Sequence, residues 1–280
     1  MFIAIVATLM LALAPAISSV LRGANYAAWV NVCRTASTAV ATTTPDRTFP
    51  AVAVEVQAGL GMTHGFGFDV QAVCSGFIYA LGVANGMLQT GQARRLLVIG
   101  AEKMSSVLDW TDRKTCVLFG DGAGAIILEA QAPSARGILA TRLYSDGRHR
   151  DLLKTTGGVS TTGNAGVIEM HGPEVFKHAV NCMRAAVETI LNDTNTPSDT
   201  VDWLVPHQAN RRIIETLAEH MHLPMDKIIL TVGEHANTSA ASIPLALHTG
   251  VTDGRILPGH LLLLESMGGG FTWGSALIRY

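Results

Sequence analysis

From about residue 38 onward the chain alternates short apolar runs with stretches of helical period, punctuated by Gly and Asp, the pattern of a layered α/β fold. An apolar, strand-like run leads through 68–73 into a small-residue turn at 74–76, and the spacing then predicts a helix over 78–88. A buried strand follows at 96–99, and 120–122 (Gly-Asp-Gly) reads as a hairpin turn before a strand at 123–128. A second half begins at 137–144. It holds a long amphipathic helix over 174–191, a short strand at 201–205 ending on Pro206-His207, and a helix over 211–222. Then come a strand-like run at 228–232 and a helix over 239–248 with Pro244 early inside it. The chain closes with strand, glycine turn and strand at 261–264, 268–270 and 276–279. The two halves are expected to share a related topology. Ala132-Pro133-Ser134 is the expected join, separating 38–132 from 133–280, and its shortness implies tight packing rather than a flexible tether.

Residues 1–37 break the pattern. Positions 2–20 are almost unbroken apolar sequence before Leu21-Arg22, with no positively charged start and with Pro15 in the middle. A signal peptide, a membrane anchor, a buried first helix and a misassigned gene start are all compatible with that run. The remainder is globular in composition: 48% hydrophobic and 15% charged residues can fill a substantial core. A net charge of -2 gives no general attraction to nucleic acid, so an anionic partner must meet a local basic patch. The cysteines at 33, 74, 116 and 182 form neither a CxxC pair nor a framework, which fits free thiols in a reducing, cytoplasmic compartment.

Candidate chemistry sits at three strand-to-helix turns. Cys74 opens the helix after 68–73, where unpaired backbone N–H groups and the helix dipole favour thiolate and where an oxyanion would meet main-chain donors. His207 follows a strand and precedes a helix, and Asn237 lies in Gly-Glu-His-Ala-Asn-Thr-Ser, another such turn. Singly, each has a structural reading as a packed thiol, a satisfied core imidazole or a cap. Together they can converge at one end of a sheet. The Gly-Asp-Gly-Ala-Gly run at 120–124 lacks the Lys-Ser/Thr ending of a phosphate loop, and His220 and His222 are spaced wrongly for a metal pair.

Residues 69–77, 206–212, 233–239 and 268–280, the last containing Gly-Gly-Gly-Phe-Thr-Trp-Gly-Ser-Ala-Leu, resemble the four signatures of the β-ketoacyl-acyl-carrier-protein synthase III family. The resemblance covers roughly 38–280. It implies a thiolase-like αβαβα sandwich of two similar halves, with the first half truncated, and a homodimer. The implied reaction condenses a short acyl-CoA with malonyl-acyl carrier protein, with no cofactor beyond the acyl-CoA substrate. Carried over by position, Cys74 becomes the acylated nucleophile and the N–H groups of Cys74 and Gly269 the oxyanion hole. His207 and Asn237 become enolate stabilisers, and Arg211 and Arg212 the carrier-protein contacts. Asn210 and Gly172 match positions near the pantetheine arm, Phe49 the aromatic that crosses the dimer interface, and Phe176 and Met267 the acyl pocket. The family's Trp and Arg that clasp the CoA nucleotide have no match in 1–37; Trp29 and Arg34 have the right types in the wrong surroundings. Three rivals stay open: a papain-type Cys–His–Asn hydrolase, a non-catalytic homologue that binds carrier protein, and a polyketide-type starter enzyme.

Overall fold

The structure, a computed structural model, describes residues 2–4, 31–132 and 135–280. Two mixed sheets repeat one strand order. The first runs β1 (Phe2–Ala4), β5 (Asp121–Glu129), β4 (Arg95–Lys103), β2 (Ser37–Ala41), β3 (Gly67–Val70). The second runs β6 (Gly137–Ser145), β11 (Thr272–Arg279), β10 (Leu261–Gly268), β9 (Trp203–Pro206), and β7 (Leu153–Thr155) pairs with β8 (Ile168–Met170) in a separate ribbon. In each, the first two pairings are antiparallel and the next is parallel. Where β3 completes the first sheet, a lone parallel bridge between Leu204 and Ile228 stands in the second.

Helices fill three layers around these sheets. α1 (Val52–Leu60) covers the outer face of β2 and β3, while α2 (Gly76–Gln89) and α5 (Ser242–Thr252) lie between the sheets. α3 (Gly172–Asp193) and α4 (Arg211–Met221) cover the outer face of the second sheet. The central layer dictates the apolar character of its members. α2 buries Gly76, Phe77, Ile78, Ala80, Leu81, Ala84 and Leu88, more than one stripe of its surface, because it meets β2 and β4 on one side and β6 and β11 on the other. One core cluster joins Phe77, Ile78 and Leu81 to Val98 and Ile126 of the first sheet and to Leu262, Leu264 and Ile278 of the second. β10 is buried at every position, so it shows no alternation: helices cover both of its faces.

The outer helices are amphipathic for the complementary reason. α3 carries Pro173 and Glu174 in its first turn, where a fixed φ and a negative charge both favour helix initiation. Asn210 caps α4, its side-chain oxygen accepting the Ile213 N–H at 2.9 Å.

Several expectations are corrected. Gly120-Asp121-Gly122 is not a hairpin turn: β5 begins at Asp121, and a long connection separates it from β4. The glycines serve close approach instead, since a Cβ at Gly124 would lie 2.9 Å from Pro244 Cβ and 3.0 Å from the Leu245 nitrogen of α5. The run at 228–232 is not a strand beyond its single bridge, because the Gln208 Oε1 takes the N–H groups of Thr231 and Val232 that a neighbouring strand would have bonded. The edge of the first sheet, expected to be missing or replaced, carries β1, paired to β5 from Phe2↔Glu129 to Ala4↔Ile127. The rest of the apolar N-terminal run, and Trp29 with it, lie outside the described residues, as do Pro133 and Ser134 of the expected join; the sheets change between Glu129 and Gly137. No helix among the described residues is long and apolar enough to cross a membrane.

Candidate active site

Cys74 sits in a single 3-10 turn, Val73–Ser75, between β3 and α2. The turn opens on Val73 with φ of 49°, a left-handed conformation that a β-branched residue adopts only when its surroundings force it. What forces it is the far end of the chain. Ser266 donates its hydroxyl to the Cys74 carbonyl at 2.7 Å, Thr272 donates to the Ala72 carbonyl at 2.8 Å, and the Ser75 and Thr272 hydroxyls meet at 2.7 Å. Between them, a Cβ on Gly268 would lie 2.6 Å from the Cys74 nitrogen, so only glycine lets the β10–β11 turn come this close.

His207 follows β9, its N–H donating to the Glu265 carbonyl at 2.8 Å, and its Nδ1 lies 2.6 Å from the Ser242 hydroxyl at the start of α5. Ser242 Oγ also accepts the Gln208 N–H at 3.3 Å, and its buried proton has no acceptor but His207 Nδ1 among the described hydrogen bonds. Nδ1 therefore accepts, and the ring's own proton is carried by Nε2. Asn237 is pinned at both ends: its N–H reaches Leu118 O at 2.9 Å, its carbonyl accepts Gly120 N–H at 3.0 Å, and its Oδ1 accepts Ser239 N–H at 2.9 Å. With Oδ1 held, the side-chain NH₂ remains as a donor. Ala236 and Ser239, flanking this asparagine, have φ of 58° and 49°.

The electrostatics depart from the sequence expectation. Burial pushes the Cys74 thiol up to about 12, against the lowering effect of a hydrogen bond from the Ser239 hydroxyl, and the nearby Glu102 charge raises it further. The resting sulfur is a thiol, so the helix N-terminus does not suffice to ionise it. Burial also drives His207 down to about 3, leaving a neutral imidazole at physiological pH.

Cys74, His207 and Asn237 line one cavity of about 550 Å³, roofed by α3 and α4. Gly172, Phe176, Asn210 and Met267 line it as well, and Gly268 faces Cys74 within it, with Gly269 next in the turn. Arg212 joins the lining and lays its guanidinium 5.5 Å from the Phe176 ring centroid. Two further residues lie outside the cavity. Arg211 points to solvent in an ion pair with Glu215 at 2.6 Å, one turn on, so its charge is matched. Phe49 is 81% exposed on the loop before α1 and does not line the cavity. Arg34 donates to the Leu60 carbonyl at 3.1 Å, a local tie to α1. The sequence did not single out Leu118, Phe119, Leu153 and Met170, which wall the pocket. Ser239, Ser242 and Glu102 behind it were also missed; hydroxyls and a carboxylate brought together from separate segments leave no local signal. All four cysteines are free thiols.

Comparison with known proteins places these features in a family. The family model described as 3-oxoacyl-[acyl-carrier-protein (ACP)] synthase III matches residues 68–147, and the corresponding C-terminal model matches 191–280. A β-ketoacyl-[acyl-carrier-protein] synthase III of Jannaschia sp. (strain CCS1) is 60% identical over 245 residues, 86% of this chain and 75% of that protein. The crystal structure of 3-oxoacyl-[acyl-carrier-protein] synthase III from Aquifex aeolicus VF5 superposes with a TM-score of 0.83 at 43% identity, covering 88% of this chain and 78% of that one. The priming β-ketosynthase of the R1128 polyketide pathway superposes with a TM-score of 0.81 at 30% identity, over 88% and 75% of the two chains.

Proposed function

The chain belongs to the 3-oxoacyl-[acyl-carrier-protein] synthase III family, and from that premise we propose that it condenses a short acyl-CoA with malonyl-acyl carrier protein, starting fatty acid synthesis. The observation that carries this is the convergence of Cys74, His207 and Asn237 on one cavity whose lining includes Arg212.

The chemistry divides between the halves. Cys74 attacks the acyl-CoA thioester; its own N–H and that of Gly269 meet the oxyanion, and one such donor contributes about 3 kcal/mol in the transition state. CoA leaves and the acyl group stays on sulfur. Malonyl decarboxylation then leaves an enolate on a thioester oxygen, which the His207 Nε2–H and the Asn237 NH₂ stabilise. Neutral donors serve, because the charge develops inside a shielded cavity where preoriented dipoles count for more than in water. His207, held neutral by burial, is an electrostatic partner rather than a base for the thiol.

Arg212 is the residue on this face that meets an acidic carrier protein, and such a charge chiefly speeds encounter. Arg211, neutralised by Glu215, contributes less. The 81% exposed Phe49 supports a homodimer in which the partner subunit covers this ring. A cytoplasmic location fits free thiols and CoA substrates. The likeness to a priming ketosynthase favours one variant of this function, a different acyl starter taken by the same machinery. Intact-mass measurement after mixing with a panel of acyl-CoAs tests both: one acyl group should appear on Cys74, with chain length marking the starter, and malonyl-acyl carrier protein should discharge it as a 3-oxoacyl product. No adduct with any acyl-CoA defeats the proposal.

A further inference from the structure

We propose that Ser239 and Glu102 form a proton relay for Cys74, the thiol proton passing to the Ser239 hydroxyl as the Ser239 proton passes to the Glu102 carboxylate. The inference rests on Cys74 being the acylated residue and asks where its proton goes. The Ser239–Ala241 turn packs against the Val73–Ser75 turn, which sets the Ser239 hydroxyl beside the Cys74 sulfur, and that hydroxyl donates its proton to Glu102 Oε1 at 3.1 Å. Ser239 is fully buried and Glu102 nearly so. Glu102 is held by the Thr44 hydroxyl at 2.6 Å, the Thr43 N–H at 3.0 Å and the Thr43 hydroxyl at 3.0 Å, so its oxygens are fixed toward Ser239 rather than free to turn away.

The alternative acceptor is His207, whose Nδ1 lies 2.6 Å from the Ser242 hydroxyl; in the tautomer in which Nδ1 accepts the Ser242 proton, Nε2 bears hydrogen, so the ring has no free lone pair for the thiol proton. Burial raises Glu102 above the usual carboxylate range, which brings it nearer the working pH of a general base. Among other groups near the pair, Lys103 is exposed on β4, and Asp121 on β5 is taken up by Ser105.

The step balances over the cycle. As sulfur bonds to the acyl carbon and the bond from that carbon to the CoA sulfur breaks, Glu102 becomes protonated through Ser239 and CoA leaves as thiolate, taking its proton from solvent. When the enolate carbon bonds to the acyl carbon, the C–S bond to Cys74 breaks, and the stored proton returns through Ser239 to the sulfur. Ser239 N–H holds Asn237 Oδ1 at the same time, so one residue serves both half-reactions.

Rapid-quench measurement of single-turnover acylation by acetyl-CoA tests the relay, with iodoacetamide alkylation of Cys74 followed in parallel. Glu102→Gln and Ser239→Ala are each expected to slow acylation about 100-fold, the double variant no further, with rates in the variants rising tenfold per pH unit as hydroxide replaces the relay. A Glu102 that acts only through its charge gives the opposite sign: its removal eases thiol ionisation, and Glu102→Gln then acylates as fast as the parent or faster, which overturns the proposal. If Glu102→Gln does not fold, as judged by thermal melting, Ser239→Ala decides alone, and unchanged acylation there also overturns it. A parent chain that alkylates at Cys74 yet takes no acyl group defeats the proposed function instead. The relay is then judged by alkylation, supported by slower and overturned by unchanged or faster rates in the variants.

Discussion

The turns that open the two central helices are built alike and do different work. Val73–Ser75 and Ser239–Ala241 are both 3-10 turns, both start on a residue other than glycine with φ of 49°, and both run directly into a buried helix. They touch: a Cβ on Gly76 would stand 3.5 Å from Ala240 Cβ. In the first half the middle position is Cys74; in the second it is Ala240, and the polar group has moved to the opening residue, Ser239. The central strands differ in the same spirit. Glu102 of β4 gathers the hydroxyls of Thr43, Thr44 and Ser239, whereas Glu265 of β10 has no hydrogen-bond partner for either carboxyl oxygen among the described residues. A repeated frame has diverged, one copy carrying the thiol and the other the hydroxyl and amide groups that surround it.

Removing the nucleophile is the hardest blow to this picture. Cys74→Ala should reduce condensation by on the order of 10⁴-fold or more, with no acyl adduct by mass spectrometry. Retained adduct formation would show that another thiol does the work. His207→Ala comes next, with condensation down about 10²- to 10³-fold and acyl-enzyme still forming, a split visible when the two half-reactions are timed separately. Equal loss in both would erase the division of labour between the halves.

Glu265 supplies a test of the contrast between the glutamates. Burial raises it to about 8, so the folded carboxyl stays protonated at neutrality while the unfolded one ionises above about 4.5. Its contribution to stability is full below pH 4.5 and is lost as pH rises through 8. Over that window it should weaken folding by a few kcal/mol, and Glu265→Gln should flatten that slope in urea melts at successive pH values. The smallest effect is expected at the contact between the twin turns: Gly76→Ala sets a methyl 3.2 Å from Ala41 Cβ as well as against Ala240, costing about 1 kcal/mol by thermal denaturation.

Cys74, His207 and Asn237 were legible as candidates because each lies in a short, contiguous motif at a strand-to-helix turn, and one cavity holds all three. It also carried the layered fold, since buried strands and helices differ in period. What it concealed depends on groups far apart in the chain. Gly122 read as part of a turn because its reason, the closeness of Leu245, lies more than a hundred residues away. The run at 228–232 has strand composition, but a single glutamine side chain captures the amides of Thr231 and Val232. The thiolate expectation erred because helix position is local and legible, while full burial of the sulfur is a tertiary property. Arg211 is the exception: Glu215 four residues on could have signalled its ion pair from spacing alone.

The strained turn at Cys74 is fastened by Ser266 and Thr272, which bond to it across 192 and 200 positions of the chain. A polypeptide emerging from synthesis therefore carries this sulfur long before β10 and β11 exist to shape the backbone around it.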